Sequence, residues 1–247
     1  YMDISHPEIE EFINFRKESG GDIHRKCLNL HNGVNITNDF LQAVQNDDDW
    51  RLIDPKTNKA VKTLKARDLW WQILNVRAET GEPYMINIDT CNDALPQGQK
   101  NLGLEIKQSN LCSEITLATD EERTAVCCLS SVNLEYFDAW STVDTFIPDL
   151  ITMLDNVIQH FINHAVGEWP SNNEYMANKP LNFQEFQSFC DPVKIGYAKA
   201  AYSAYRERSL GLGAMGFHSY LQSKGIPFES MYAASFNHKS FSLLKDR

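Results

Sequence analysis

Ile9, Phe12 and Ile13 fall on one stripe of HPEIEEFINFRKES, a pattern that predicts a helix ending at Gly20 and Gly21. CLNLHNGVNI reads as extended, with an Asn-Gly turn signal inside it. Thr37 is placed to cap a short helix through Val44, after which the acidic run 47–49 leads into a strand at 50–53. LKARDLWWQILNVRAETG predicts a helix stopped by Gly81, and YMINID behind it a strand. PQGQKNLG is a loop, QSNLCSEITL a loop running into a strand, and TAVCCLSSVNL a buried strand. From Phe146 to Ile162 the apolar positions recur at helical spacing, which predicts one long amphipathic helix over 143–165. Residues 166–192 are polar and Pro-containing and read as a surface excursion. KIGYAKAAYSAYRER predicts a helix, RSLGLG a short strand, AMGFHSYLQSKG a helix, and 231–247 a last helix. Strands separated by helices make this an α/β chain with largely parallel pairing.

The 247 residues are long enough to bury a core, and 12 Gly plus 9 Pro exclude a disordered or collagen-like composition. No apolar run reaches the ~18–20 residues of a membrane helix, and with no basic stretch leading into an apolar one at the start, no secretory signal is expected. The formal charge of −10 argues against a nucleic-acid partner, because a protein gripping that polyanion presents a basic face. Small anionic ligands such as nucleotides stay open, since a few local donors hold them. Six cysteines at 27, 91, 112, 127, 128 and 190 are too sparse for a disulfide scaffold, and the composition reads as cytoplasmic. Tyr1 is not a start methionine, and the expectation is a fragment of a longer chain.

Four features could carry chemistry. In an extended segment Asn110, Cys112 and Glu114 would share one side at ~6–7 Å steps, placing an amide, a thiol and a carboxylate in one row. Taken alone, N-x-C-x-E is a weak signal, and a core cysteine beside two loop polars is by far the better reading of it. Cys127 and Cys128 are neighbours on a predicted strand, so only one of them can face a given pocket. Gly211, Gly213 and Gly216 match G-x-G-x-x-G, but YRERS before them is a poor buried strand; a tight strand-to-helix junction is the better reading than a dinucleotide fingerprint. His160 and His164 stand at i, i+4 without an adjacent carboxylate and read as exposed helix residues, so no metal site is expected.

QSNLCSEITL, followed by TAVCCLSSVNLEYFDAW and ERSLGLGAMGFHSYLQSKGIPFES, resembles the large catalytic subunit of class I ribonucleotide reductase. YMDISHPEIEEFINFRKESGGDIHRKCLNLHNGVNIT and ETGEPYMINIDTCN are similar to the same family, with 166–192 the least familiar stretch. The resemblance implies part of a ten-stranded α/β barrel, here one partial domain over 1–247, with a finger loop at about 108–116. It implies that Cys112 is the thiyl-radical site that takes the substrate's 3′ hydrogen. Glu114 would accept the 3′-hydroxyl proton and Asn110 hydrogen-bond the same edge of the ribose, with Leu111 and Ser113 completing the substrate-binding loop. Cys127 matches one half of the redox pair, whereas Cys128 holds a position that need not be cysteine.

The implied reaction reduces ribonucleoside diphosphates to deoxyribonucleotides. The chain itself would bind no cofactor. The radical would come from a small subunit's dinuclear metal site and the electrons from thioredoxin or glutaredoxin, in a homodimer of the full large subunit with ATP and dNTP effectors. The family's other redox cysteine, its amino-terminal nucleotide-binding region, its radical-relay tyrosines and its carboxy-terminal cysteine pair have no match here, so the segment is expected to be inactive alone. A cobalamin-dependent reductase shares the finger-loop logic; the anaerobic glycyl-radical class fits less well. The non-enzymatic alternative is a truncated product or an associating piece of a split reductase that buries barrel edges against its partner.

Overall fold

Val34 and Ile36 of the strand Gly33–Ile36 (β2) turn into an apolar cluster, leaving Gly33 and Asn35 on the opposite side. β2 is the centre of a parallel three-stranded sheet, flanked by Met2–Asp3 (β1) and Tyr84–Asn87 (β5). The computed structural model describes residues 1–166 and 180–247, which form two compact units, 1–119 and 120–247.

In the first unit, the helices Ile9–Asn14 (α1), Asn38–Asn46 (α2) and Ala66–Thr80 (α3) supply Ile9, Ile13, Phe40, Leu69, Ile73 and Val76 to that cluster. Leu69, Ile73 and Val76 follow the i, i+4, i+7 rule, and each such side chain contributes about 1.5–3 kcal/mol on burial. Thr37 caps α2 by accepting from the Phe40 amide, and Gly81 ends α3 in the left-handed region, both as the sequence predicts. The helix expected up to Gly20 stops at Asn14. The pairing of Asp49–Ile53 (β3) with Ala60–Lys65 (β4) departs from the parallel expectation, because the two form an antiparallel hairpin. β4 is almost entirely exposed, so no apolar alternation announces it. Two short helices, Ile88–Asp93 (α4) and Gln97–Asn101 (α5), follow β5; the second lies where a plain loop was expected.

In the second unit, Cys128–Asn133 (β6) pairs in parallel with Leu210–Met215 (β7), in register from Cys128↔Leu210 to Asn133↔Met215. A short helix Phe137–Trp140 (α6) leads to the long helix Phe146–Ala165 (α7), whose Ile147, Leu154, Ile158, Ile162 and Ala165 are buried. Among the described residues the next helices are Phe183–Ser188 (α8) and Ala198–Glu207 (α9), the latter capped by Arg208 with φ of 45°. Arg208 is tied to α7 through Asp155 (2.8 Å) and Gln159 (2.8 Å). After β7 come Phe217–Ser223 (α10) and Met231–Asp246 (α11). The surface excursion expected over 166–192 needs correction where it is described. Leu181, Phe183, Phe186 and Cys190 are buried with Ile158, Ile162 and Tyr202, because a few large apolar side chains suffice to seat a mostly polar stretch. Residues 167–179 of that expectation lie outside the described residues.

Candidate active site

Residues 104–127 contain neither helix nor strand. The limb entering this loop is held by side-chain amides. Asn92 accepts from the Ile106 amide (2.8 Å) and donates to the Ile106 carbonyl (3.0 Å), while Asn35 Nδ2 donates to the Lys107 carbonyl (2.9 Å). Ile106 and Ala118 are buried, and the Thr119 amide donates to the Glu105 carbonyl at 3.4 Å, so the two limbs meet at the base.

At the tip the chain turns. Ser113 adopts φ of 67°, and its amide donates to the Asn110 carbonyl at 3.2 Å. Asn110 organises the turn: its Oδ1 accepts from the amides of Glu114 (3.2 Å) and Ile115 (3.1 Å), and its Nδ2 donates to Glu114 Oε1 (2.7 Å). Ser109 Oγ closes the far side by donating to the Ile115 carbonyl at 2.6 Å. This corrects the extended row expected for Asn110, Cys112 and Glu114. Two steps of extended chain would hold the outer two about 13 Å apart, whereas the turn joins them directly. Asparagine accounts for the difference, since its side chain bonds nearby backbone amides as readily as a strand ladder would. Cys112 stands exposed between them, beside the exposed Leu111. The arrangement offers an accessible thiol, an oriented amide and a carboxylate able to take a proton.

Cys127 and Cys128 belong to the second unit. Cys128 packs against the cluster of Ile158, Ile162 and Ala201, and burial pushes its thiol pKa up. Cys127 lies on the side of Gly211: a methyl group added there would stand 3.7 Å from its Sγ. The segment before it is anchored to α9, through the Thr124 amide on the Lys199 carbonyl (3.3 Å) and Arg123 on Glu207 (3.3 Å). Arg123 also lies over the Tyr202 ring. Glu207 Oε2 is buried with no hydrogen-bond partner among the described residues, and burial raises the carboxyl's pKa against the opposing pull of Arg123. Nothing in the local sequence marks Glu207 or Arg123, which are 84 residues apart.

The glycine string is a strand-to-helix junction, as read from the sequence. Gly211 and Gly213 lie within β7, and Gly216, at φ of 75°, is the residue from which α10 starts. Among the described residues no group of three or more His, Cys, Asp or Glu side chains could hold a metal ion, and no helix is long and apolar enough to cross a membrane.

Residues 1–246 match the family model described as "Ribonucleotide reductase, barrel domain". The ribonucleoside-diphosphate reductase large subunit of Invertebrate iridescent virus 3 is 41% identical, across 99% of this chain and 43% of its own length. The putative ribonucleoside-diphosphate reductase large subunit of Frog virus 3 is 46% identical, across 93% of this chain and 36% of its own. A solved structure, the Actinobacillus ureae class Id ribonucleotide reductase alpha subunit, is 30% identical with a TM-score of 0.70, covering 99% of this chain and 38% of that one. The chain thus spans less than half the length of each of these relatives. With a family match from the first residue to the last but one, the chain belongs to the ribonucleotide reductase barrel-domain family.

Proposed function

We infer that this chain is the central catalytic segment of a class I ribonucleoside-diphosphate reductase large subunit, one partial barrel domain over 1–247 with its finger loop at about 108–116. The observation that carries the reading is the Asn110–Glu114 hydrogen bond across a turn whose Cys112 is exposed, in a chain of this family. The Cys112 thiyl radical takes the 3′ hydrogen of a bound ribonucleoside diphosphate. Glu114 takes the 3′-hydroxyl proton, which eases departure of the 2′-hydroxyl as water. Asn110 orients the same edge of the ribose, and the backbone around Leu111 and Ser113 shapes the substrate's seat. The two electrons come from a dithiol of which Cys127 is one member, leaving a disulfide that thioredoxin or glutaredoxin reduces.

The radical originates in a small subunit's dinuclear metal site, and the large subunit works as a homodimer under ATP and dNTP control. All of this is proposed for the polypeptide that carries the segment; the segment alone is inactive. The test is turnover of a ribonucleoside diphosphate by that polypeptide with its small subunit. Wild type should form deoxyribonucleotide and Cys112→Ser none. Turnover by Cys112→Ser would overturn the reading.

A further inference from the structure

Tyr1 stands 109 residues from Asn110, yet its hydroxyl donates to the Asn110 carbonyl at 3.0 Å and meets Ser113 Oγ. It therefore touches both the first and the last residue of the turn that carries Cys112. Ser113 is the residue in the left-handed region, the conformation an L-residue holds least willingly without outside support. Beneath the hydroxyl, the Tyr1 ring lies flat on Gly33: a Cβ at position 33 would come within 2.5 Å of Tyr1 Cε1 and 2.8 Å of Cδ1. The ring can occupy that place only because residue 33 has no side chain. One step along the same side of β2, Asn35 donates to the Lys107 carbonyl (2.9 Å) and to Asp3 Oδ1 (2.8 Å), steadying the limb that feeds the turn. Asn35 itself is buried, so the donor end of this contact lies away from water.

We propose that Tyr1 is a positioning residue for the Cys112 turn, holding it in its reactive conformation through the Asn110 carbonyl and the Ser113 hydroxyl, with Gly33 as the seat that fixes the ring. The proposal rests on the functional reading above for its catalytic consequence, while its conformational content stands independently. Tyr1 donates no proton to substrate and carries no electron in this account. Its hydroxyl holds the peptide on which Cys112 and Glu114 are mounted, and a displacement of about 1 Å there costs up to 10²-fold in rate.

The test uses the full reductase polypeptide with its small subunit, and three variants: Tyr1→Phe, Gly33→Ala and Cys112→Ser. Tyr1→Phe keeps the ring and loses only the hydroxyl, so folding should be preserved, with the melting temperature and KM close to wild type. Amide hydrogen exchange at Ser113, Glu114 and Ile115 should accelerate, and kcat should fall by about tenfold or more, the scale of losing the hydroxyl's two hydrogen bonds. Gly33→Ala should reproduce both effects by pushing the ring off its seat. Combining it with Tyr1→Phe should add little, because the two changes break one arrangement. Unchanged exchange at these amides in Tyr1→Phe overturns the proposal whatever the activity. Faster exchange with unchanged kcat overturns the positioning role. Cys112→Ser separates the two ideas: if it retains turnover, the functional reading fails, and the exchange measurement alone still decides whether Tyr1 holds the turn.

Discussion

Asn110 and Glu114 are joined by a 2.7 Å hydrogen bond from Nδ2 to Oε1, while Asn110 Oδ1 accepts from the Glu114 amide at 3.2 Å. The side chain of one residue thus grips both the backbone and the carboxylate of the other. Glu114→Gln separates geometry from proton transfer. The glutamine oxygen can accept the same bond, so the turn should persist, seen as unchanged amide exchange at Glu114 and Ile115. Turnover should drop about 10²–10⁴-fold, the scale of a lost general base. A variant with near wild-type turnover would remove Glu114 from the proton step.

Cys128 packs with Ile158 and Ile162 and its thiol pKa is pushed up by burial, which makes it a structural side chain. Cys128→Ser should keep turnover while lowering unfolding stability by about 1 kcal/mol or more, because a hydroxyl enters apolar packing. Denaturant unfolding and turnover measured on one preparation decide this. Loss of turnover at undiminished stability would transfer the redox role to Cys128.

Burial holds the Glu207 carboxyl above its ordinary value of 4.5, with Arg123 pulling the other way. The folded chain therefore keeps a proton that the unfolded chain releases. The stability contributed by this group is complete below about pH 4.5 and is lost as pH rises through the higher folded value. Glu207→Gln mimics the protonated side chain and removes that dependence. The unfolding free energy of wild type relative to Glu207→Gln should fall as pH rises through this window. A difference that stays flat or rises would show that Arg123 dominates.

Gly216 precedes α10 at φ of 75°, and a Cβ there would stand 3.0 Å from the Glu135 amide and press on Asn133 Oδ1. Gly216→Ala should destabilise by about 1–2 kcal/mol from the backbone alone. Gly98, in α5 with open space around it, is the control: alanine there should be neutral or slightly stabilising. Thermal unfolding of both variants checks the contrast.

Elements with a strong internal signal were legible. Leu69, Ile73 and Val76 mark α3 by spacing alone, and the stripe from Ile147 to Ile162 marks α7. The β4 strand was not, because Ala60–Lys65 is an exposed hairpin arm whose partner defines it. Around Leu181, Phe183 and Phe186 the polar average of the stretch hides three large apolar side chains that seat it in the core. At the candidate site the residue types of Asn110, Cys112 and Glu114 could be read, but not their arrangement. Spacing assigns a face only once the backbone conformation is known, and the left-handed Ser113 turns the expected row into a loop. Tyr1 and Gly33 carried no signal at all, since what joins them to the turn is a tertiary contact across most of the first unit.

In the proposed mechanism Cys112 abstracts the 3′ hydrogen and Cys127 supplies reducing equivalents afterwards. The direct measurement is release of tritium from a 3′-tritiated ribonucleoside diphosphate by the full reductase with its small subunit, comparing Cys112→Ser with Cys127→Ser. An alcohol O–H is far harder to convert to a radical than a thiol S–H, so Cys112→Ser should release no tritium. Cys127→Ser should still release it while forming no deoxyribonucleotide. Tritium release by Cys112→Ser, together with none from Cys127→Ser, would contradict the assignment of the two thiols.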